Sequence, residues 1–146
     1  MAWIAVTADN VATRLTDAEL TTYTSVSLAD GDPLPGIITQ SVDEARGYVG
    51  ASGKYALGDG QTIPQKLLGA VLALVRYRLI KRLPIPVDAE RTREYDDALK
   101  LLARVADGKF DIEEPETPDS ETSQSASSPR VTAPERKFTE DTQDGI

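Results

Sequence analysis

The 146-residue chain contains no cysteine and no histidine. Without cysteine there is no disulfide framework and no thiolate metal site. Without histidine the commonest general base and the commonest metal ligand are both missing. A catalytic centre would have to be built from carboxylates or lysine, so an enzyme is not the expected reading, and neither a metal nor a cofactor is expected. Aromatic residues make up only 5% of the sequence. A core must then come from Ala, Leu, Val and Ile, which suits packed helices better than aromatic-rich strands. The longest uncharged apolar run is Leu67–Val75, far short of the ~20 residues that a spanning helix needs. The first ten residues have neither a basic start nor a long apolar stretch and do not read as a signal peptide. A soluble protein with no membrane partner is expected.

What is present is unevenly charged. The formal net charge is −8, and residues 107–146 carry 11 acids against 4 bases, whereas residues 1–106 carry 13 against 12. The acidity therefore sits at the C-terminal end. Such a balance argues against wrapping nucleic acid by phosphate neutralisation.

The stretch Gly47-Tyr-Val-Gly-Ala-Ser-Gly-Lys-Tyr55 invites comparison with a phosphate-binding loop. The P-loop reads G-x-x-x-x-G-K-[ST]. Here the first glycine would fall on Tyr48, and Tyr55 stands where a small hydroxyl should ligate magnesium. The residues before it carry helical rather than strand periodicity, with Ile37, Ile38, Val42, Ala45 and Val49 on one face. Gly50 and Gly53 are read as a helix C-cap and a turn.

The rest of the chain reads as about five helices. Thr7 is a candidate N-cap for a short helix over ADNVATRL. Thr16 and Glu19 form a capping box for a helix from Asp17 to about Ser25, followed by turn chemistry in LADGDPLPG. A third helix is expected over roughly 36–49. A fourth, opened by Pro64 and running to about Leu83, is apolar nearly all round in its middle and reads as the buried central helix. A fifth runs from about Asp88 to Ala106. Its expected core stripe is Tyr95, Leu99, Leu102 and Ala106, with Arg93 and Asp97 paired on the outer face. Leu72 and Leu99 are expected where the two long helices meet. Asp96-Asp97 reads as a solvated face and Glu113-Glu114 as part of an acidic linker. Adjacent carboxylates on a helix diverge by roughly 100° and do not share a site.

Arg76, Arg78, Lys81 and Arg82 gather near the end of the fourth helix. Complementing the negative end of the helix dipole is the simpler account; a basic rim facing a partner or DNA is the functional one. After Phe110 the sequence turns acidic and rich in Pro, Ser and Thr, which on its own cannot offset its ordering entropy. The final stretch regains apolar anchors. Val131, Arg136, Lys137, Phe138 and Ile146 are the candidate partner-binding residues, with Phe138 as the anchor. The expected organisation is an all-α body, residues 1–110, and an extended acidic linker and interaction arm, residues 111–146.

The runs SVDEARGYVGASGKYAL, IPQKLLGAVLALVRYRL, EYDDALKLLARVADGKF and RKFTEDTQDGI, in this order, resemble the Mu-like phage head–tail connector family. The matching features are Tyr48 and Tyr55 at a helix end, Pro64 to Leu79, Tyr95 to Lys109, and Arg136 to Thr139. The tail differs in reading Glu140-Asp141, where the family's tails are more basic. The resemblance implies a small helical bundle with long arms, in the neck of a tailed virion. It also implies a ring of about twelve copies. The implied partners are a portal protein, neighbouring copies and a stopper or tail-completion protein, with DNA passing through without sequence-specific binding. The competing reading is a free-standing helical binding or regulatory module with a disordered acidic tail.

Overall fold

In the computed structural model the described residues are 3–115, and the arm anchors expected at Val131, Arg136, Lys137, Phe138 and Ile146 lie outside them. The order is β1 (Ile4–Ala5), α1 (Ala8–Ala12), α2 (Asp17–Asp30), α3 (Leu34–Ala51), β2 (Thr62–Ile63), a 3-10 turn (Gln65–Leu67), α4 (Leu68–Arg82) and α5 (Ala89–Ala106). Among the described residues the fold is all-α with five helices, in line with the expected five or so. The small sheet was not expected: β1 pairs antiparallel with β2, Ile4 opposite Ile63 and Ala5 opposite Thr62.

Local signals set the helix starts. Thr7 caps α1 and Thr16 caps α2, each in a reciprocal capping box, with Asn10 and Glu19 respectively. Asp88 caps α5 by accepting from the N–H of Arg91 at 2.8 Å. Several boundaries differ from expectation, and the first helix already ends at Ala12. The second helix does not stop near Ser25 but runs to Asp30, and Gly31, at φ 93°, ends it. Thr21, Thr22, Thr24 and Ser25 return their hydroxyls to carbonyls one turn back and so stay within the helix. α3 starts at Leu34 because Pro35 falls in its first turn, where a missing N–H costs nothing. Pro64 does not open an α-helix directly. Its ψ of 140° continues the extended backbone of β2, and a 3-10 turn intervenes.

α3, α4 and α5 pack on one another and α1 packs on α4. α4 lies at the centre, burying Val71, Leu72, Leu74, Val75, Leu79 and Ile80. α5 turns Ala98, Leu102 and Val105 inward. Leu99 and Tyr95 lie half-buried beside that stripe, with Tyr95 stacked on Tyr77 of α4 at 4.2 Å. The buried face is thus rotated from the expected one, and Leu72 meets it while Leu99 flanks it. The outer-face pairing also differs: Asp97 lies 3.7 Å from Lys100.

The chain keeps packing past residue 110. Ile112 is buried in the core, and the Trp3 indole N–H donates to the Glu113 carbonyl at 2.8 Å. Arg46 on α3 holds the loop between α3 and β2. Its guanidinium donates to the carbonyls of Thr62 (2.6 Å) and Gly58 (2.8 Å) and lies over the Trp3 ring.

Candidate functional site

The glycine-rich stretch is a helix end. α3 continues to Ala51, so Gly50 lies inside the last turn and not at the cap. The Ser52 hydroxyl closes the helix by donating to the Val49 carbonyl at 2.6 Å. Gly53 then takes φ 67°, a backbone angle that side chains oppose. Lys54 reaches across to α5, where its ammonium donates to the Gly108 carbonyl at 2.8 Å, beside the end of that helix. A lysine there opposes the helix dipole and anchors the two helix ends together. The groups that would cradle a phosphate are committed to ending α3 and α5.

The four basic residues near the end of α4 divide into two pairs. Arg76 and Arg78 turn inward. The Arg78 guanidinium donates to the Ser41 hydroxyl at 3.0 Å and pairs with Glu44, both on α3. Lys81 and Arg82 are exposed, with the Lys81 ammonium 5.2 Å from the centre of the Tyr77 ring. A rim of four free cations is therefore not what this face presents; two of the four tie helices together.

Arg76 belongs to a cluster that the linear sequence does not show. Glu19 of α2 is buried. Its Oε1 lies 2.8 Å from Arg91 Nη2 on α5, and its Oε2 lies 3.4 Å from Arg76 Nε on α4. Glu94 completes the set, 3.5 Å from Arg76 and 4.0 Å from Arg91. Burial by itself would raise the Glu19 carboxyl. The Arg91 hydrogen bond, the Thr16 N–H and the charges of Arg76 and Arg91 outweigh it and hold the group below its ordinary 4.5. The capping box predicts Glu19 as a local partner of Thr16. Its second role needs residues more than fifty positions away.

Two surface grooves flank the bundle. One, of about 400 Å³, lies between α4 and α5, with Leu72, Ala73, Ala98 and Leu101 in its lining and Arg14, Glu94 and Asp97 among its polar residues. The other, of about 330 Å³, is lined by uncharged residues of β1, the start of α1 and α3, including Val6, Pro35, Ile38 and Val42. α2 is the helix least sunk into the body: only Glu19 is buried, Tyr23 and Val26 are half-buried, and Leu28 is 84% exposed. Among the described residues no group of acids is placed to hold a metal ion, and no helix is long and apolar enough to cross a membrane.

Fold and surface together define a small helical body whose buried charges serve its own packing. Among the described residues its exposed features include the outer side of α2 and the two grooves. The family model for bacteriophage Mu, Gp36 matches residues 6–131, and the chain belongs to that family. Membership makes it a Mu-like phage protein and points to a structural or morphogenetic part of the phage. No curated protein and no solved structure gives a significant match.

Proposed function

We propose that the protein is a head–tail connector that acts by binding and not by catalysis. Copies form a ring of about twelve below the portal, joined through head-to-tail contacts that close on themselves. The ring links the head to a stopper or tail-completion protein and continues the DNA channel. Its place is the virion neck, reached from the host cytoplasm where assembly occurs. The observation that carries this reading is the family match over residues 6–131, which spans nearly the whole described body and enters the acidic segment. The physical character of the chain supports it. The buried acid of the ionic cluster and the lysine of the glycine-rich stretch are engaged in holding helices. A net charge of −8 suits a conduit through which DNA slides without sticking. The arm residues Val131, Arg136, Lys137, Phe138 and Ile146 would grip a portal or a neighbour.

The test is to mix the purified chain with portal-bearing heads that lack it and image the product by negative-stain electron microscopy. A ring of added density at the portal vertex is expected. Heads that remain unchanged at saturating protein would overturn the proposal.

A further inference from the structure

We infer that the groove between α4 and α5 of one copy receives the distal turns of α2 of the next copy, with Leu28 seated on the apolar floor and Asp30 facing Arg14. This deepens the connector reading and rests on its head-to-tail association. Leu28 is the most exposed large apolar side chain among the described residues, at 84%, far above Leu57 at 47% and Leu20 at 37%. It stands near the end of a helix whose inward contacts are Glu19, Tyr23 and Val26, and it takes no part in them. Nine residues of helix place Leu28 about 13 Å along the axis from Glu19.

Charge selects the groove. From Leu15 to Ala45 the sequence has no lysine or arginine but has six acids. Asp32 is occupied, accepting from the Tyr23 hydroxyl at 2.7 Å and the Leu34 N–H at 3.0 Å. Asp30, two residues beyond Leu28, forms no ion pair among the described residues, and neither does Arg14 in the α4–α5 groove. The acids that share this groove already have cations: Glu94 has Arg76 and Arg91, and Asp97 has Lys100. The second groove has no charged lining residue and gives an acidic helix end no reason to choose it. The patch and the groove are different surfaces of one chain. Passed from copy to copy, their contact is heterologous, the kind that makes a ring when its rotation closes. Exchanged within a pair it would stop at dimers even in a double variant with cysteine on both surfaces, and that result would overturn the inference.

The absence of native cysteine makes disulfide trapping clean. The double variant Leu28→Cys with Ala73→Cys, concentrated and mildly oxidised, should give a ladder of covalent oligomers on a non-reducing gel. Each single variant should stop at dimers. Gly69→Cys supplies a second attachment point if Ala73→Cys loses helicity, because an added Cβ at Gly69 meets nothing nearer than Arg14 Nη2 at 3.8 Å. Arg14→Asp alone and Asp30→Arg alone should each cut the ladder yield about tenfold, a factor that corresponds to ~1.4 kcal/mol. The two together should restore it. A ladder from Leu28→Cys with Ile38→Cys, and none from either α4 pair, would place Leu28 in the other groove and overturn the inference. Rings imaged at the portal without a ladder would also overturn it while leaving the connector reading intact. Absence of both would remove both. A ladder without rings would support this contact and count against the ring at the portal.

Discussion

Replacing Glu19 by Gln isolates the charge of the ionic cluster while keeping the shape of the side chain. The Glu19, Arg76 and Arg91 side chains are only 9%, 12% and 14% exposed. Removing one partner of a buried pair typically costs about 3–5 kcal/mol, because the remaining charge is left uncompensated in a poor solvent. Here Glu94 still faces both arginines, at 3.5 and 4.0 Å, but it is 41% exposed and compensates weakly. The lower end, about 3 kcal/mol, is therefore expected for Glu19→Gln at pH 7. For a domain of this size that lowers the melting midpoint by about 10 °C. The pH dependence supplies the sharper test. The folded Glu19 pKa lies below its ordinary 4.5. Its contribution is thus fully present above about 4.5 and is lost as pH falls through the folded pKa. Urea titrations of both proteins from pH 7 to pH 3 should show a constant gap down to about 4.5 and convergence below. A gap under ~0.5 kcal/mol at pH 7, or one that persists unchanged at pH 3, would refute the argument that charge at this position ties α2 to α4 and α5.

Leu102→Ala should cost about 2–5 kcal/mol by chemical denaturation, and Leu99→Ala clearly less, because Leu102 is fully buried and Leu99 only half so. Equal losses would mean that the inward face of α5 is misplaced. Gly53→Val forces a β-branched residue to φ 67° and should destabilise by about 1–3 kcal/mol, more than Lys54→Ala, which removes one exposed hydrogen bond. Calorimetry with ATP and GTP should detect no saturable binding by the parent or by either variant; binding lost on Lys54→Ala would restore the phosphate-loop reading.

The legible part of the fold was the part written locally. Thr7 as an N-cap, and Thr16 with Glu19 three residues on, each marked a helix start, and the structure adds Asn10 as the partner of Thr7. The long apolar run of α4 announced a central helix. Three things were not legible, for three reasons. The inward face of α5 could not be read because Tyr95, Leu99, Leu101, Leu102 and Val105 cover a broad arc. Which slice faces inward depends on α3 and α4. The β1–β2 pair brings together two residues from each of two segments almost sixty positions apart, too short for any alternation to show. The cluster of Glu19, Arg76, Arg91 and Glu94 joins three helices, and each member alone reads as an ordinary surface charge or cap. The same limit hid the partners of Arg76 and Arg78: proximity to the end of α4 left a dipole role and a basic rim both open, whereas acids on other helices draw the two inward.

Where the packed body ends decides how the C-terminal segment can be tested. Composition changes after Phe110, yet Ile112 lies in the core at 6% exposure and the Glu113 carbonyl accepts the Trp3 indole N–H. The Glu113 carboxylate also accepts from the Lys66 N–H at 3.4 Å, and the Tyr55 hydroxyl reaches Asp111 at 3.3 Å and the Ile112 N–H at 3.4 Å. Residues 111–113 therefore staple the N-terminal Trp3, the loop after α3 and the entry to α4. A chain ended after Lys109 exposes the site of Ile112 and orphans the buried indole N–H. The two losses together should cost about 3–5 kcal/mol. A chain ended after Pro115 keeps every one of these contacts and should melt within about 1 kcal/mol of the parent, with unchanged helicity by circular dichroism. The longer truncation is then a folded body without residues 116–146, which is what a test of the arm requires. Added to portal-bearing heads, it should fail to attach stably if Phe138 and its neighbours grip a partner. Attachment as firm as that of the full chain would remove the arm from the mechanism. A body that unfolds when cut after Pro115 would instead show that residues beyond it belong to the core.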